Sequence, residues 1–176
     1  MVEIFNLIIK YLTKENITFF IAVAGFILSI YNFLYEKFQN RMCLSVTYKN
    51  HHISHVNAKE LTLSLSIENC VKNPIPISRM YLIIDGNPYE FFWVPQIVYY
   101  ADYKSGKTIL DEIKLHSVEL PAKIEGNGVL GGFFFVKCDK NLTDDMLLNA
   151  ETEIQISSSK GIRKYKININ NPSVEI

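Results

Sequence analysis

Residues Ile17 to Tyr35 (ITFFIAVAGFILSIYNFLY) carry no charged side chain over 19 positions. At 1.5 Å per helical residue the run reaches roughly 29 Å, close to the hydrocarbon thickness of a bilayer. A transmembrane helix is expected over 16–40, with Asn16 as its N-cap. Ala22-Val23-Ala24 has the look of a small-residue cleavage motif, but apolar residues continue past it to Tyr35. The segment therefore reads as a retained anchor and not a cleaved signal.

Within the run, Thr18, Ala22, Gly25, Ser29, Asn32 and Glu36 recur at alternating spacings of four and three. This is a heptad seam made of small and polar residues. Membrane helices gain little by hiding leucine from lipid. They associate where small side chains let backbones approach and polar groups bond across the contact. A seven-residue period favours a left-handed supercoil. Phe20, Ile27 and Leu34 fall on the opposite, lipid-facing side, and Tyr31 and Tyr35 suit an interfacial belt. Asn32 is the hardest residue to place against lipid, because polar side chains in a membrane face a partner or water. Three arrangements fit: a dimer or trimer bonded through Asn32, a ring of four or more helices around a wetted Ser29 and Asn32, or a single anchor with Asn32 near the headgroups.

Upstream, Val2 to Leu12 is apolar but too short to span. Glu3, Asn6 and Lys10 share one narrow face, which predicts an amphipathic interfacial helix over 1–12. The 176 residues carry no net charge, so nothing in the bulk electrostatics points to nucleic acid. Cys43, Cys70 and Cys138 are odd in number and form no CxxC pair, which argues against a secreted disulfide scaffold. They are expected to be buried reduced thiols in a cytosol-facing domain. Lys37, Arg41 and Lys49 after the span against Lys10 and Lys14 before it bias the C-terminal side to the cytoplasm. The expected location is the cell inner membrane, single-pass, with the C-terminal domain cytoplasmic.

After Arg41 the period changes from helical to alternating. Leu44, Val46 and Tyr48 alternate with Ser45, Thr47 and Lys49, and Leu61, Leu63, Leu65 and Ile67 alternate with polar residues. Both are half-buried strands. Further strands are expected near 78–84, 89–94, 97–103, 108–115, 129–137, 152–158 and 162–169. Asp85-Gly86-Asn87-Pro88 and Ser159-Lys160-Gly161 read as hairpin turns. Gly126, Gly128, Gly131 and Gly132 read as a turn and a bulge. A single helical turn is expected at Thr143 to Leu148, capped by Thr143. The pattern predicts a mainly β fold with N-terminal α, in which a β-sandwich fills 42–176.

Chemistry-bearing motifs are sparse. His51, His52 and His55 lack a carboxylate or cysteine to complete a metal spacing, so a solvated hairpin loop is expected and no metal. No nucleophile–base, zinc-protease, P-loop or dinucleotide signature is present, so neither an enzyme nor a cofactor is expected. Two clusters suit a ligand. Tyr99, Tyr100 and Tyr103 stand beside Lys104 and Lys107, where rings can stack bases and lysines pair phosphates. Lys160, Arg163, Lys164 and Lys166 gather at the last hairpin. The plainer reading of both is lysine decorating strand edges.

The stretch Asn69-Cys70-Val71-Lys72-Asn73-Pro74-Ile75-Pro76-Ile77-Ser78, followed by Met80 to Ile84, resembles a pattern of immunoglobulin-like bacterial domains. There an Asn-rich turn and a Pro-Ile step enter a strand. Leu120-Pro121 followed by Gly131-Gly132-Phe133-Phe134-Phe135 is similar to their late strand pair. The layout as a whole resembles small membrane effectors of bacterial anti-phage systems, which join a short transmembrane segment to a β-rich sensor. The membrane channel of the Hailong system, partnered with a nucleotidyltransferase that makes DNA oligomers, is one of them. The resemblance is one of layout, not motif, and carries no ligand residues over. It implies an immunoglobulin-like sandwich and a ligand-gated channel that depolarises the cell. It also implies a nucleotide or single-stranded oligonucleotide ligand made by a partner protein.

Two functions follow as expectations. One is a homo-oligomeric channel, a tetramer being a candidate ring, in which Ser29 and Asn32 form the narrow polar ring and Glu36 attracts cations at the mouth. The alternative is a membrane-tethered β-sandwich that recruits a protein or nucleotide partner without a pore.

Overall fold

The computed structural model describes residues 14–54, 56–105 and 108–169. The interfacial helix expected over 1–12 lies outside the described residues, as do His55 and Lys107. The chain divides into two compact units at Arg41/Met42. The first holds helix α1, Lys14–Gln39. Its last turn is closed by Asn40 N–H donating to the Glu36 carbonyl at 2.9 Å. The Arg41 guanidinium then lies over the Phe38 ring, 5.4 Å from its centroid.

The second unit is a β-sandwich. Its strands are β1 (Leu44–Ile53), β2 (Glu60–Asn69), β3 (Ile75–Ile77), β4 (Arg79–Ile84), β5 (Asn87–Glu90), β6 (Ile97–Ser105), β7 (Thr108–His116), β8 (Ala122–Ile124), β9 (Val129–Lys137), β10 (Thr152–Ser158) and β11 (Gly161–Lys166), with the short helix α2 (Asp144–Asn149) before β10. One sheet runs β1-β2-β9 and the other β11-β10-β4-β5, with two-stranded pairs β3-β8 and β6-β7. All the pairings within these sheets are antiparallel. The alternation read in the sequence is the core: Leu61, Leu63, Leu65 and Ile67 of β2 are fully buried, facing Met80, Leu82, Ile84, Ile154 and Ile156 of the other sheet in one cluster. Leu63 pairs with Phe134, whose ring meets Phe91 edge-on at 5.8 Å. Phe91 also bridges Val136, carrying the end of β5 over to β9.

Several boundaries differ from the sequence reading. Ile75-Pro76-Ile77 is a separate strand paired with Ile124 to Ala122, not the entry to β4. The strand expected over 89–94 is displaced to Asn87–Glu90, because Asp85 and Gly86 alone make the turn. Both adopt positive φ, 50° and 80°, and Ile84 pairs directly with Asn87, the geometry of a two-residue hairpin. Beyond Phe91 the chain leaves the ladder, and Phe92 N–H donates to the Phe135 carbonyl at 2.9 Å. β11 ends at Lys166, after which Ile167 and Ile169 are buried outside any strand pairing.

The expected bulge at Gly131-Gly132 is absent: both pair in regular register with Ser66 and Leu65. Gly132 answers a packing demand instead, since a Cβ there would come within 2.6 Å of Val118 Cγ2. Gly126 turns where a Cβ would fall 1.6 Å from the Lys72 carbonyl oxygen. The expected cap is present, with Thr143 Oγ1 accepting from Met146 N–H at 3.2 Å. The cysteines also depart from expectation. Only Cys138 is buried, Cys43 is half-buried and Cys70 is exposed, because Cys43 and Cys70 flank the outer ends of β1 and β2.

Candidate functional site

Helix α1 is apolar on most of its surface, and no residue of the spanning window Asn16–Gln39 is buried. Among the described residues it is the one helix long and apolar enough to cross a membrane. At 100° per residue, Thr18, Ala22, Gly25, Ser29, Asn32 and Glu36 fall within an arc of about 80°, extending about 27 Å along the axis. All six are exposed. A Cβ at Gly25 would meet nothing within 4 Å, so the glycine answers no steric need among the described residues. Tyr31 and Tyr35 stack one turn apart, with ring centroids 6.1 Å apart.

The first ligand cluster of the sequence falls on the β6-β7 ribbon. Tyr99 pairs with Leu115, Tyr100 with Lys114 and Ala101 with Ile113. Successive strand residues face opposite sides, so Tyr99 and Tyr100 do not share a face. Tyr99 stands with Leu115 and Ile113 on an apolar side. Tyr100 stands with Lys114, whose ammonium lies 5.7 Å from the ring centroid. Glu112 pairs with that ammonium and raises its pKa, so the charge is already matched. Tyr103 and Lys104 continue β6, opposite Asp111 and Ile109.

The second cluster lies on β10-β11, in a different sheet. Arg163 pairs with Ile156 and Lys164 with Gln155, so these two also point to opposite faces. Lys164 is 3.8 Å from Glu153, and Lys166 pairs with Glu151, which raises the lysine pKa and lowers that of the glutamate. The Lys160 ammonium is buried with no hydrogen-bond partner among the described residues. No strand pairing joins this hairpin to the ribbon. The two clusters do not form one basic-aromatic site.

Sequence reasoning missed what surrounds the ribbon. Trp93 is 69% exposed, and Phe92, Val94, Ile97, Ile113 and Leu115 are exposed beside or along it. The signal was present in the FFWVP run and in the alternation of Ile113 and Leu115. Trp93 also lines a cavity of about 340 Å³ with Ser78, Arg79, Glu90, Phe91, Leu120 and Pro121. Arg79 and Glu90 are 3.8 Å apart at its rim.

The histidine motif is corrected as well. His51 and His52 lie in β1, opposite Leu63 and Thr62, not in a loop. A bulge between Tyr48 and Asn50 shifts the phase of β1. Tyr48 and His51 therefore lie on one side, and the Tyr48 hydroxyl hydrogen-bonds His51 Nδ1 at 2.6 Å. His51 Nε2 stands 3.1 Å from Asp144 Oδ1 at the start of α2. Burial, and then the Asp144 charge, raise the Tyr48 pKa. The arrangement ties β1 to α2, and no three His, Cys, Asp or Glu side chains gather among the described residues.

No known protein family matches the chain, and no curated protein matches it. Among solved structures it is similar to a solution structure assigned to the late embryogenesis abundant (LEA) proteins. The two share 12% identity over 84% of each chain, with a TM-score of 0.35.

Proposed function

We propose that this is a single-pass inner-membrane protein whose helices assemble through the α1 seam into a pore. Its β-sandwich, on the cytoplasmic side, binds the signal that gates that pore. The observation that carries the reading is the seam itself. Six small or polar residues line one side of a mostly apolar helix with no buried residue from Asn16 to Gln39, and among the described residues nothing comes within 4 Å of a Cβ at Gly25. In lipid, Asn32 and Ser29 then find partners or water on neighbouring copies, and Glu36 supplies a ring of negative charge at the mouth. Gating is a shift between closed and open assemblies, driven by a ligand that binds one better than the other. The layout agrees with a channel effector of anti-phage defence, for which a nucleotide or single-stranded oligonucleotide is the ligand class. Trp93 and Tyr99 are exposed rings that base stacking would use.

The test is ion flux from liposomes holding the purified full-length protein, with Asn32→Leu as the comparison. Flux that the substitution abolishes or alters in selectivity supports the pore. Equal flux from both proteins, or none from either with oligonucleotides present, overturns it. The exposed aromatic ribbon specifically favours a second reading, a tethered module that recruits a partner through β6-β7. That reading predicts partner binding that survives Asn32→Leu and fails on Tyr99→Ser with Leu115→Ser.

A further inference from the structure

Cys43 and Cys70 are neighbours across the first two strands. Leu44 pairs with Asn69, so one further step along the ladder sets Cys43 opposite Cys70. The Cys70 N–H donates to the Cys43 carbonyl at 3.0 Å, which closes that step. Cys43 lies near enough to the Cys70 thiol to raise its pKa, and that thiol donates to the Glu68 carbonyl at 3.9 Å. Opposed Cα atoms in antiparallel strands stand about 4.5–5.5 Å apart, inside the range of roughly 4.4–6.8 Å that a disulfide spans.

Access to the three thiols is graded. Cys70 is exposed, Cys43 half-buried and Cys138 buried. An oxidant from solvent meets Cys70 first, and the neighbouring Cys43 thiol is placed to resolve the product.

We propose that Cys43 and Cys70 are a redox modification site, a dithiol that hydroperoxides close reversibly to an intramolecular disulfide. The Cys70 thiolate attacks a peroxide oxygen. An S–O bond forms, the O–O bond breaks, and Cys70 becomes a sulfenic acid as hydroxide or alkoxide leaves and takes up the proton the thiol released. Cys43 sulfur then attacks Cys70 sulfur. The S–S bond forms, the S–O bond breaks, and a second water leaves with the Cys43 proton. Two thiols give up two electrons and the peroxide takes them. Burial, and then the neighbouring Cys43 and Glu68, hold the Cys70 thiol above its ordinary pKa.

The staple would join the residue before β1 to the residue after β2, tying both ends of that hairpin. Cys43 lies four residues beyond the end of α1 at Gln39, so the oxidised site fixes the root of the strand that follows the membrane helix.

The experiment uses the full-length protein in detergent, treated with hydrogen peroxide and then denatured, alkylated and weighed. The expected product is a monomer lighter by two hydrogens, with one alkylated thiol at Cys138 and a Cys43–Cys70 linked peptide after digestion. Dithiothreitol returns three alkylatable thiols. Cys138→Ser leaves the product unchanged, while Cys43→Ser and Cys70→Ser each abolish it. Both single variants retain the hairpin hydrogen bonds, and circular dichroism confirms that they are folded. The proposal is overturned if Cys43 stays alkylatable while Cys70 takes up oxygen, if the disulfide links two chains, or if peroxide leaves all three thiols free.

Discussion

Asn69 is a buried polar side chain, 2% exposed, and its removal gives the sharpest stability prediction. Its Nδ2 donates to the carbonyls of Asn73 at 2.9 Å and Glu125 at 3.0 Å, and its Oδ1 accepts from Val71 N–H at 3.1 Å. Its own backbone N–H reaches the Gly128 carbonyl at 2.9 Å. One side chain thus fastens the turn after β2 to the turn before β9. Asn69→Leu removes three short side-chain bonds, each worth about 1 kcal/mol net, together with a longer one from Nδ2 to the Ile124 carbonyl at 3.4 Å, and leaves partly buried partners unmatched. The expected loss is about 3–4 kcal/mol. At about 4 °C per kcal/mol for a domain of this size, the midpoint falls by roughly 12–16 °C. Asn69→Asp keeps the shape and the acceptor but turns the donor into an oxygen facing two carbonyls, so its loss at neutral pH is at least as large. The assay is thermal unfolding of the full-length protein in detergent, followed by circular dichroism in the β region. A Leu variant melting within about 3 °C of the parent, or an Asp variant equal to it, would refute the reasoning.

Three further predictions concern packing, pH and the seam. Gly132→Ala brings a methyl to 2.6 Å from Val118 Cγ2 and is expected to cost about 1–3 kcal/mol. Adding Val118→Ala should recover most of it in a double-mutant cycle of urea unfolding. Burial, then the Asp139 charge, pushes the Cys138 thiol up to about 11. Burial, then a hydrogen bond to Asp139 at 3.0 Å, pushes the Tyr89 phenol up to about 12. Both groups fold in the protonated form. Their contribution is complete below the ordinary values of 9.0 and 10.0 and is lost as pH rises through the folded ones. Urea midpoints should therefore fall above pH ~9, and the fall should be shallower in Cys138→Val and Tyr89→Phe. A Cβ at Gly25 meets nothing within 4 Å among the described residues, so Gly25→Leu should leave the melting of the sandwich unchanged while the detergent-phase mass drops. An unchanged mass would remove Gly25 from the contact.

The strands were legible where burial follows the simple two-residue period. β2 is the clearest case, its four aliphatic residues all facing inward. Where the backbone departs from that period, the sequence misled. The bulge after Tyr48 is invisible in a list of residue types, yet it places His51 beside Tyr48 and Asp144 and turns a presumed loop into an anchored strand. Asp85-Gly86 took only two residues for the turn where four were expected, so β5 starts and stops early. The ligand clusters do not gather on one face, for a related reason. Tyr99 and Tyr100, like Arg163 and Lys164, are adjacent in sequence, and a strand sends adjacent side chains to opposite faces. Nearby acids take up several of the lysine charges, a pairing that only the register reveals. Cys43 and Cys70 show the same limit: 27 positions apart in the chain, they become neighbours only through the pairing of β1 with β2.

The central claim is that the α1 seam assembles copies of this chain. The most direct measurement is the protein mass of the full-length complex in detergent, by light scattering with the detergent contribution subtracted. The account predicts a defined assembly of four or more chains that falls apart on Asn32→Leu. A monomer or dimer, or an assembly indifferent to that substitution, would contradict it.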